Sequence, residues 1–326
     1  MIGAAGQIMA KNILFITGTR IGDAILSSGL LAHLVETHPD ARFTVACGAP
    51  AAPLFRAVPR LDRVIVIRKQ PYKTHWLSLW WGCVGRRWEV VVDLRRSGLS
   101  WFLWARHRYI KGAAIPGAHR VEEDASALRL DPAPDPLIWV DDAAEAAGAA
   151  AIPDDRPVLA IGPTANWGAK EWRAEHFAAL VERLTATDGI LPGAMVALMG
   201  GPDERERARG LIDSIPHDRR IDLFGQPLPA AYASMKRCAL YIGNDSGLMH
   251  LSAASGAPTL GLFGPSPEHR YRPWGKKAAV ARTRQSYAEL VEAPDFDHRN
   301  QDSLMDGLTV DEAVRAAEDL WRRCKG

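Results

Sequence analysis

Apolar positions along this chain fall into two alternating patterns, and the alternation repeats after one interruption. Short apolar runs bounded by turn-forming residues read as buried strands. They occur at 12–17 (NILFIT), 42–47 (RFTVAC), 63–67 (RVIVI) and 89–93 (EVVVD). Between the first two, residues 23–36 place Ile25, Leu30, Leu31, Leu34 and Val35 on one side of a predicted helix. Residues 131–157 break the pattern with prolines at 132, 134, 136, 153 and 157 and an Ala-rich acidic stretch. The pattern then restarts: strands over 158–162 (VLAIG), 194–199 (AMVALM) and 238–243, and helices over 174–185 and 203–214. Near the C-terminus, Thr309 and Glu312 have the spacing of a capping box. Val310, Val314, Ala317 and Trp321 then share one helical face. Strands alternating with helices predict parallel sheets covered on both faces. A chain of 326 residues exceeds what one core usually spans, so the expectation is two successive α/β domains, 1–150 and 151–326, with a closing helix.

Composition adds little to this frame: 47% hydrophobic and 24% charged residues are ordinary for a globular protein. No apolar run reaches the roughly 18 residues of a membrane span. The N-terminus lacks the basic segment and apolar core of a secretory signal, so the expected compartment is the cytoplasm. Cys47, Cys83, Cys238 and Cys324 are far apart without a C-x-x-C pair. That spacing speaks against a disulfide framework, a zinc ribbon or an iron–sulfur site and for buried or incidental thiols. Charge is unevenly spread. Residues 1–120 hold 17 basic and 6 acidic residues, 121–155 hold 1 and 10, and 156–326 hold 22 of each. A basic first third predicts either an anionic partner or a patch neutralised within the fold.

The densest chemistry lies in GNDSGLMHLSAASGAPTLGLFG (243–264). A strand runs into a helix that starts near Ser246 and ends before Gly256, and an apolar run follows at 258–263. A helix N-terminus after a parallel strand is an anion site. Asp245 or Ser246 can cap it, Gly247 lets a ligand approach the backbone, and His250 lies one turn on, on the same face. The structural alternative makes Asp245 a cap alone and His250 a satisfied core histidine.

This stretch resembles the nucleotide-sugar site of the bacterial lipopolysaccharide heptosyltransferases, glycosyltransferase family 9. The family's D-[ST]-G-x-x-H, A-x-x-G-x-P and F-G-x-[ST] pattern falls on Asp245, Ser246, Gly247, His250, Ala253, Gly256, Pro258, Phe263, Gly264 and Ser266. GPTANWGAKEWRAEHFAAL (162–180) is similar to the family segment carrying a threonine and a lysine before W-x-x-E-x-[FW]. That implies a phosphate-binding Lys170 and a hydroxyl at Thr164. GGPDERERA (200–208) resembles the G-x-P-x-E turn, which makes Glu204 an acceptor for ribose or adenine groups. GTRIGDAILSSGLLAHL (18–34) resembles the family opening, whose aspartate is the proposed base and here is Asp23. Gly29 stands where the family usually has proline. Read without the resemblance, Lys170 is a surface lysine, Glu204 a helix-start carboxylate and Asp23 a helix cap.

The resemblance extends over nearly the whole chain. It implies a GT-B architecture: two Rossmann-like domains across a cleft, acceptor on the first and nucleotide sugar on the second. It implies an inverting, metal-independent glycosyltransferase that uses no cofactor beyond its ADP-sugar co-substrate. Heptose is the leading sugar, and the acceptor is the lipopolysaccharide inner core or a related anionic glycolipid. Asp23 and Lys170 would be catalytic. Thr164, Lys170, Glu204, Asp245, Ser246, Gly247 and His250 would bind the donor, and Arg20, Arg95 and Arg96 the acceptor. The Asp295–Phe296–Asp297 triplet looks like the metal-binding D-x-D of another glycosyltransferase architecture, but reads here as a solvated turn.

Six of eleven tryptophans lie in 76–104 (Trp76, Trp80, Trp81, Trp88, Trp101, Trp104), interleaved with Arg86, Arg87, Arg95, Arg96, Arg106, Arg108 and Lys111. This mixture suits a phosphorylated glycolipid at the inner leaflet of a membrane. It would suit single-stranded nucleic acid too, but no nucleic-acid-binding signature accompanies it. Some of these tryptophans are expected in the core, since Trp76 and Trp80 are one turn apart. Competing readings are a family member using another nucleotide sugar, an NAD-dependent enzyme, or a non-catalytic nucleotide- or lipid-binding module. The second would carry G-x-G-x-x-G after the first strand, where residues 18–23 read GTRIGD.

Overall fold

The computed structural model describes residues 11–68, 70–292, 296–297 and 302–325. The first half runs β1 (Lys11–Ile16), α1 (Ile21–Leu26), α2 (Ser28–Thr37), β2 (Ala41–Gly48), β3 (Leu61–Ile67), α3 (His75–Cys83), β4 (Trp88–Asp93), β5 (Ala105–Ile110), α4 (Arg120–Ala125) and α5 (Asp142–Ala151). The second runs β6 (Val158–Gly162), α6 (Ala174–Thr185), β7 (Met195–Leu198), α7 (Arg209–Ser214), β8 (Arg220–Asp222), α8 (Leu228–Met235), β9 (Leu240–Asn244) and α9 (Gly247–Ser255). It continues with β10 (Thr259–Phe263), α10 (Glu268–Tyr271), β11 (Ala278–Arg282), α11 (Tyr287–Val291) and α12 (Val310–Lys325). The strands form two parallel sheets, ordered β3-β2-β1-β4-β5 and β11-β10-β9-β6-β7-β8. The central strands are covered on both faces, which explains their continuous apolar runs. Ile13, Leu14, Phe15 and Ile16 of β1 are fully buried, as are all five residues of β6, β9 and β10.

In each sheet the order of connection reverses between two neighbours, β1 and β4 in the first and β6 and β9 in the second. Ligands of open parallel sheets bind outside the carboxyl ends of the strands at such a reversal. The fold therefore marks two sites before any side chain is considered.

Several elements differ from the sequence expectations. The helix expected over 23–36 is two helices that part at Ser27. The Ser27 and Ser28 hydroxyls donate to the carbonyls of Ala24 and Ile25, bonds that compete with the helical ladder. The helix expected over 203–214 is a short turn at Pro202–Glu204 followed by α7. β5, β8 and β11 lack an expectation: β5 reads ARHRYI and β8 RID, without an apolar run, and the run in β11, AAVAR, is short and mostly alanine. β10 occupies the apolar run at 258–263. Gly256 ends α9 in the left-handed region (φ 82°) and Thr309 with Glu312 forms the capping box, both as expected. At Gly29 an added Cβ would stand 2.5 Å from the carbonyl oxygens of Pro134 and Asp135, so the returning chain presses on α2 there.

Among the contacts that join the halves away from the sheets, two stand out. α5 packs on α8, with Glu145 paired to Lys236 at 2.6 Å. His119, the N-cap of α4, is buried and spans the junction. Its Nδ1 accepts from Val121 N–H (3.2 Å), its Nε2 lies 2.9 Å from the Arg272 carbonyl, and its ring leans on Trp274. These partners require the neutral Nε2–H tautomer. Burial lowers the His119 pKa from 6.5 to about 4. A folded-state pKa below the unfolded one means that the unfolded chain binds the proton first. The stability is complete above pH 6.5 and is lost as the pH falls toward about 4. Denaturant titrations should show wild type losing stability through this window. His119→Asn should begin about 1 kcal/mol lower at pH 8, from the lost cap, and slope less steeply. Equal slopes would remove His119 from the junction's pH response.

Candidate active site

In the second sheet the site is assembled by Asn244, the fully buried last residue of β9. Its Oδ1 accepts from Trp172 N–H (3.1 Å) and its Nδ2 donates to the Pro163 carbonyl (2.8 Å), which pins the loop after β6 to the end of β9. The pinned loop brings Lys170 Nζ to 2.6 Å from Asp245 Oδ2. α9 begins at Gly247 with Ser246 as N-cap, but the Ser246 hydroxyl makes no capping bond. The expected cap is therefore absent, and among the described residues no side chain accepts from the first N–H groups of α9. Those donors and the positive end of the helix remain available to an anion.

His250 is buried, with Nε2 4.0 Å from Asp245 Oδ1 and Nδ1 without a hydrogen-bond partner. It is not a satisfied core histidine. Burial above all lowers its pKa and Lys170 adds to this, against the opposing pull of Asp245 and Asp23, so the ring is neutral. Thr164 donates to Glu204 Oε2 (2.7 Å), which also receives Gly201 N–H (2.8 Å), while Arg207 lies 3.1 Å from Oε1. Glu204 thus holds the turn after β7 against the loop after β6.

In the first half, α1 follows β1. Its N-cap is Arg20, which makes no capping bond, and Asp23 is the third helical residue. The Asp23 carboxylate makes no hydrogen bond among the described residues, so the cap alternative fails. Its nearest cation is Arg120, 4.0 Å away. Arg120 is held by Asp124 (3.2 Å), and Lys111 bridges Glu123 (3.0 Å) and Asp124 (2.7 Å). Arg270, from the second half, reaches Glu123 at 2.9 Å. Arg20, Arg95 and Arg96 lie on the turns after β1 and β4, at the first reversal point, and none forms an ion pair with Asp23. Buried Asp93 shapes the second turn by accepting from Arg95 N–H (2.9 Å) and Ser97 N–H (3.0 Å).

The two halves meet at these helix starts. A Cβ added at Gly247 would stand 2.9 Å from Ile21 Cγ2, and one at Gly22 would stand 3.0 Å from the His250 ring. Asp23, Asp245, Lys170 and His250 therefore belong to one junction. Around it, Tyr241 Oη, Ser246 Oγ, His250 Nδ1 and Ser266 Oγ are buried with no hydrogen-bond partner. Tyr241 Oη and Ser246 Oγ are neighbours at a geometry that makes no bond, and burial raises the Tyr241 pKa. Buried polar groups left without a protein partner are open to water or to a ligand.

Other candidates lie apart. A cavity of about 720 Å³ lies between α6 and α7 and holds no candidate residue. Asp295 of the acidic triplet is outside the described residues. Phe296 packs edge-on against Trp167 at 6.0 Å, so this segment is not simply solvated. Among the described residues no three His, Cys, Asp or Glu side chains gather as a metal site. All four cysteines are unbridged; burial pushes the Cys47 and Cys238 thiols up to about 12 and the Cys83 thiol to about 11. The Arg120–Glu123–Arg270 network, Tyr241 and the Asn244 clamp had no functional signal in the sequence, because their partners are distant along the chain.

The family model for glycosyltransferase family 9 (heptosyltransferase) matches residues 113–298. Lipooligosaccharide heptosyltransferase 2 of Haemophilus influenzae is 23% identical, over 95% of this chain and 99% of its own length. Among solved structures, the family 9 glycosyl transferase from Veillonella parvula superposes with a TM-score of 0.76 at 20% identity, covering 96% and 97% of the two chains. The ADP-heptose lipopolysaccharide heptosyltransferase II of E. coli gives 0.73 at 20% identity, covering 97% and 100%. The chain belongs to glycosyltransferase family 9. It is a glycosyltransferase, and its two parallel sheets with a closing C-terminal helix form the GT-B architecture.

Lys170→Met keeps side-chain bulk but leaves the buried Asp245 carboxylate unpaired. Denaturant unfolding should register a loss of about 1–3 kcal/mol, partly recovered by adding Asp245→Asn. No loss in the single variant would show that the pair is solvated and contributes little.

Proposed function

We propose that this enzyme moves a sugar, heptose foremost, from an ADP-sugar to the inner core of lipopolysaccharide or a related anionic glycolipid. The transfer inverts the anomeric centre and needs no metal. Residues 151–326 take the donor and residues 1–150 the acceptor. One observation carries this reading: Asp23 of the first half stands at the same junction as Lys170 and the uncapped start of α9. Among the described residues that carboxylate makes no hydrogen bond, and it shares the junction with a cation and free backbone donors, as base and leaving-group stabiliser should.

Asp23 takes the proton from the acceptor hydroxyl as its oxygen attacks the anomeric carbon, and the nucleoside diphosphate departs with the bonding electrons. Base assistance of this kind is worth about 10²–10⁴-fold. The diphosphate gains negative charge in the transition state. Lys170 and the α9 N–H groups are already oriented toward it, so stabilisation needs little reorganisation. Ser246, Gly247 and neutral His250 complete the phosphate contacts, with Asp245 holding Lys170 in place. Thr164 and Glu204, at the neighbouring strand ends, serve the ribose and adenine. ADP as the nucleotide is supported by the E. coli neighbour named for ADP-heptose. Arg20, Arg95 and Arg96 supply positive charge where an anionic acceptor would enter. No helix among the described residues is long and apolar enough to cross a membrane. Work at the inner face of the cytoplasmic membrane, with peripheral contact, fits that observation.

Asp23→Asn should lower turnover of ADP-heptose on truncated lipopolysaccharide by about 10²–10⁴-fold and leave ADP affinity unchanged. Equal turnover would remove Asp23 from the role of base. Transfer from a UDP- or GDP-sugar instead would keep the reaction class and discard ADP-heptose as donor.

A further inference from the structure

Exposed large apolar side chains are confined to one part of this protein. Among the described residues they number ten, eight of them in 66–104 and none in the second half. Scattered exposure needs no explanation, but concentration on one face marks an interaction site. The tryptophan-rich segment separates into a buried set and an exposed set. Trp88 is in the core with Leu79, Cys83 and Leu103, and Trp76 and Trp80 pack on that core. Leu77 and Trp81, one turn apart on the opposite face of α3, are exposed. Trp101, Phe102 and Trp104 are exposed on the turn between β4 and β5.

These groups form one surface. Trp80 Nε1 donates to the Phe102 carbonyl (3.1 Å) and binds α3 to that turn, and the Trp80 and Trp81 rings are 6.2 Å apart. The guanidinium of Arg87 lies 4.1 Å over the Trp104 ring. Arg86 and Arg106 stand beside it near the amino ends of β4 and β5, paired with Asp62 (2.7 Å) and Glu89 (3.2 Å).

We propose that this face docks on a bilayer containing anionic lipid, with Trp81, Trp101, Phe102 and Trp104 entering the headgroup region. The inference rests on the reading of the acceptor as a lipid-anchored saccharide. Tryptophan prefers the membrane–water interface because its ring is apolar and its N–H is polar. Arginines beside it meet phosphate, and the excess of 17 basic over 6 acidic residues in 1–120 has the complementary sign. A second copy of the chain fits less well, because a two-fold contact would set Arg87 and the basic excess of the first 120 residues against their own copies. The turn at 94–98, with Arg95 and Arg96, runs into the aromatic turn at 99–102, and from there the chain crosses to Trp104, whose carbonyl accepts from Trp88 N–H (2.9 Å) at the amino ends of β4 and β5.

Vesicle co-sedimentation of the whole protein tests this. Wild type should bind vesicles of phosphatidylethanolamine with phosphatidylglycerol and bind phosphatidylcholine vesicles far less. A variant combining Trp81→Ser, Trp101→Ser, Phe102→Ser and Trp104→Ser should lose at least about tenfold in binding. Its melting temperature and ADP affinity should match wild type, which excludes misfolding. Arg87→Gln with Arg106→Gln should lose the preference for anionic lipid. The aromatic variant should turn over a delipidated core saccharide normally and a vesicle-held acceptor slowly. Should neither acceptor be used, the functional reading fails while vesicle binding still decides this proposal. Absence of wild-type binding, or equal binding by the aromatic variant, overturns it. So does a wild-type dimer without vesicle binding that the aromatic variant abolishes, which would give the face to a second copy.

Discussion

The contact on which this structure depends is between the first turns of α1 and α9. Both helices begin at the carboxyl end of a central strand, and their first turns lie against each other, which brings their positive ends close. Like ends repel. Two features make the approach tolerable. Glycines at 22 and 247 remove the side chains that would otherwise collide. Carboxylates at Asp23 and Asp245 place negative charge beside the exposed N–H groups, with His250 kept neutral by burial between them.

The rest of the site follows from holding that junction still. Asn244 fixes the loop carrying Lys170 to the strand that leads into α9, so the lysine and the helix start move as one body. Glu204 does the same for the loop after β7. On the other side, Lys111, Arg120, Glu123, Asp124 and Arg270 form a buried charge network that ends at Asp23 and bridges both halves. Buried ion pairs give little net stability, but breaking one is costly. Such a network therefore fixes the position of the groups around Asp23 more than it adds to stability.

Much of this was legible in the sequence, for identifiable reasons. Fully buried parallel strands such as β1, β6 and β9 announce themselves as apolar runs, whereas a margin strand like β5, reading ARHRYI, does not. Periodicity carried a single helix through 23–36, but the serine hydroxyls at 27 and 28 divide it. Asp245, Ser246, Gly247 and His250 lie on one strand-to-helix turn, so local spacing sufficed to group them. Lys170 and Asp23 joined that group by family resemblance, since no local pattern places them there. Cap and base readings of Asp23 separate only in three dimensions, where its carboxylate is seen to cap nothing. The division of tryptophans between core and surface likewise depended on how α3 and the 99–102 turn pack.

The central claim is that the uncapped start of α9 and Lys170 form a metal-free binding site for an adenosine diphosphate. Calorimetric titration of the whole protein with ADP, UDP, GDP and NAD, with and without EDTA, tests it most directly. The account predicts that ADP binds most tightly, that EDTA changes nothing, and that Lys170→Ala abolishes the signal. Binding of NAD in preference to ADP, or ADP binding that EDTA removes, would contradict it.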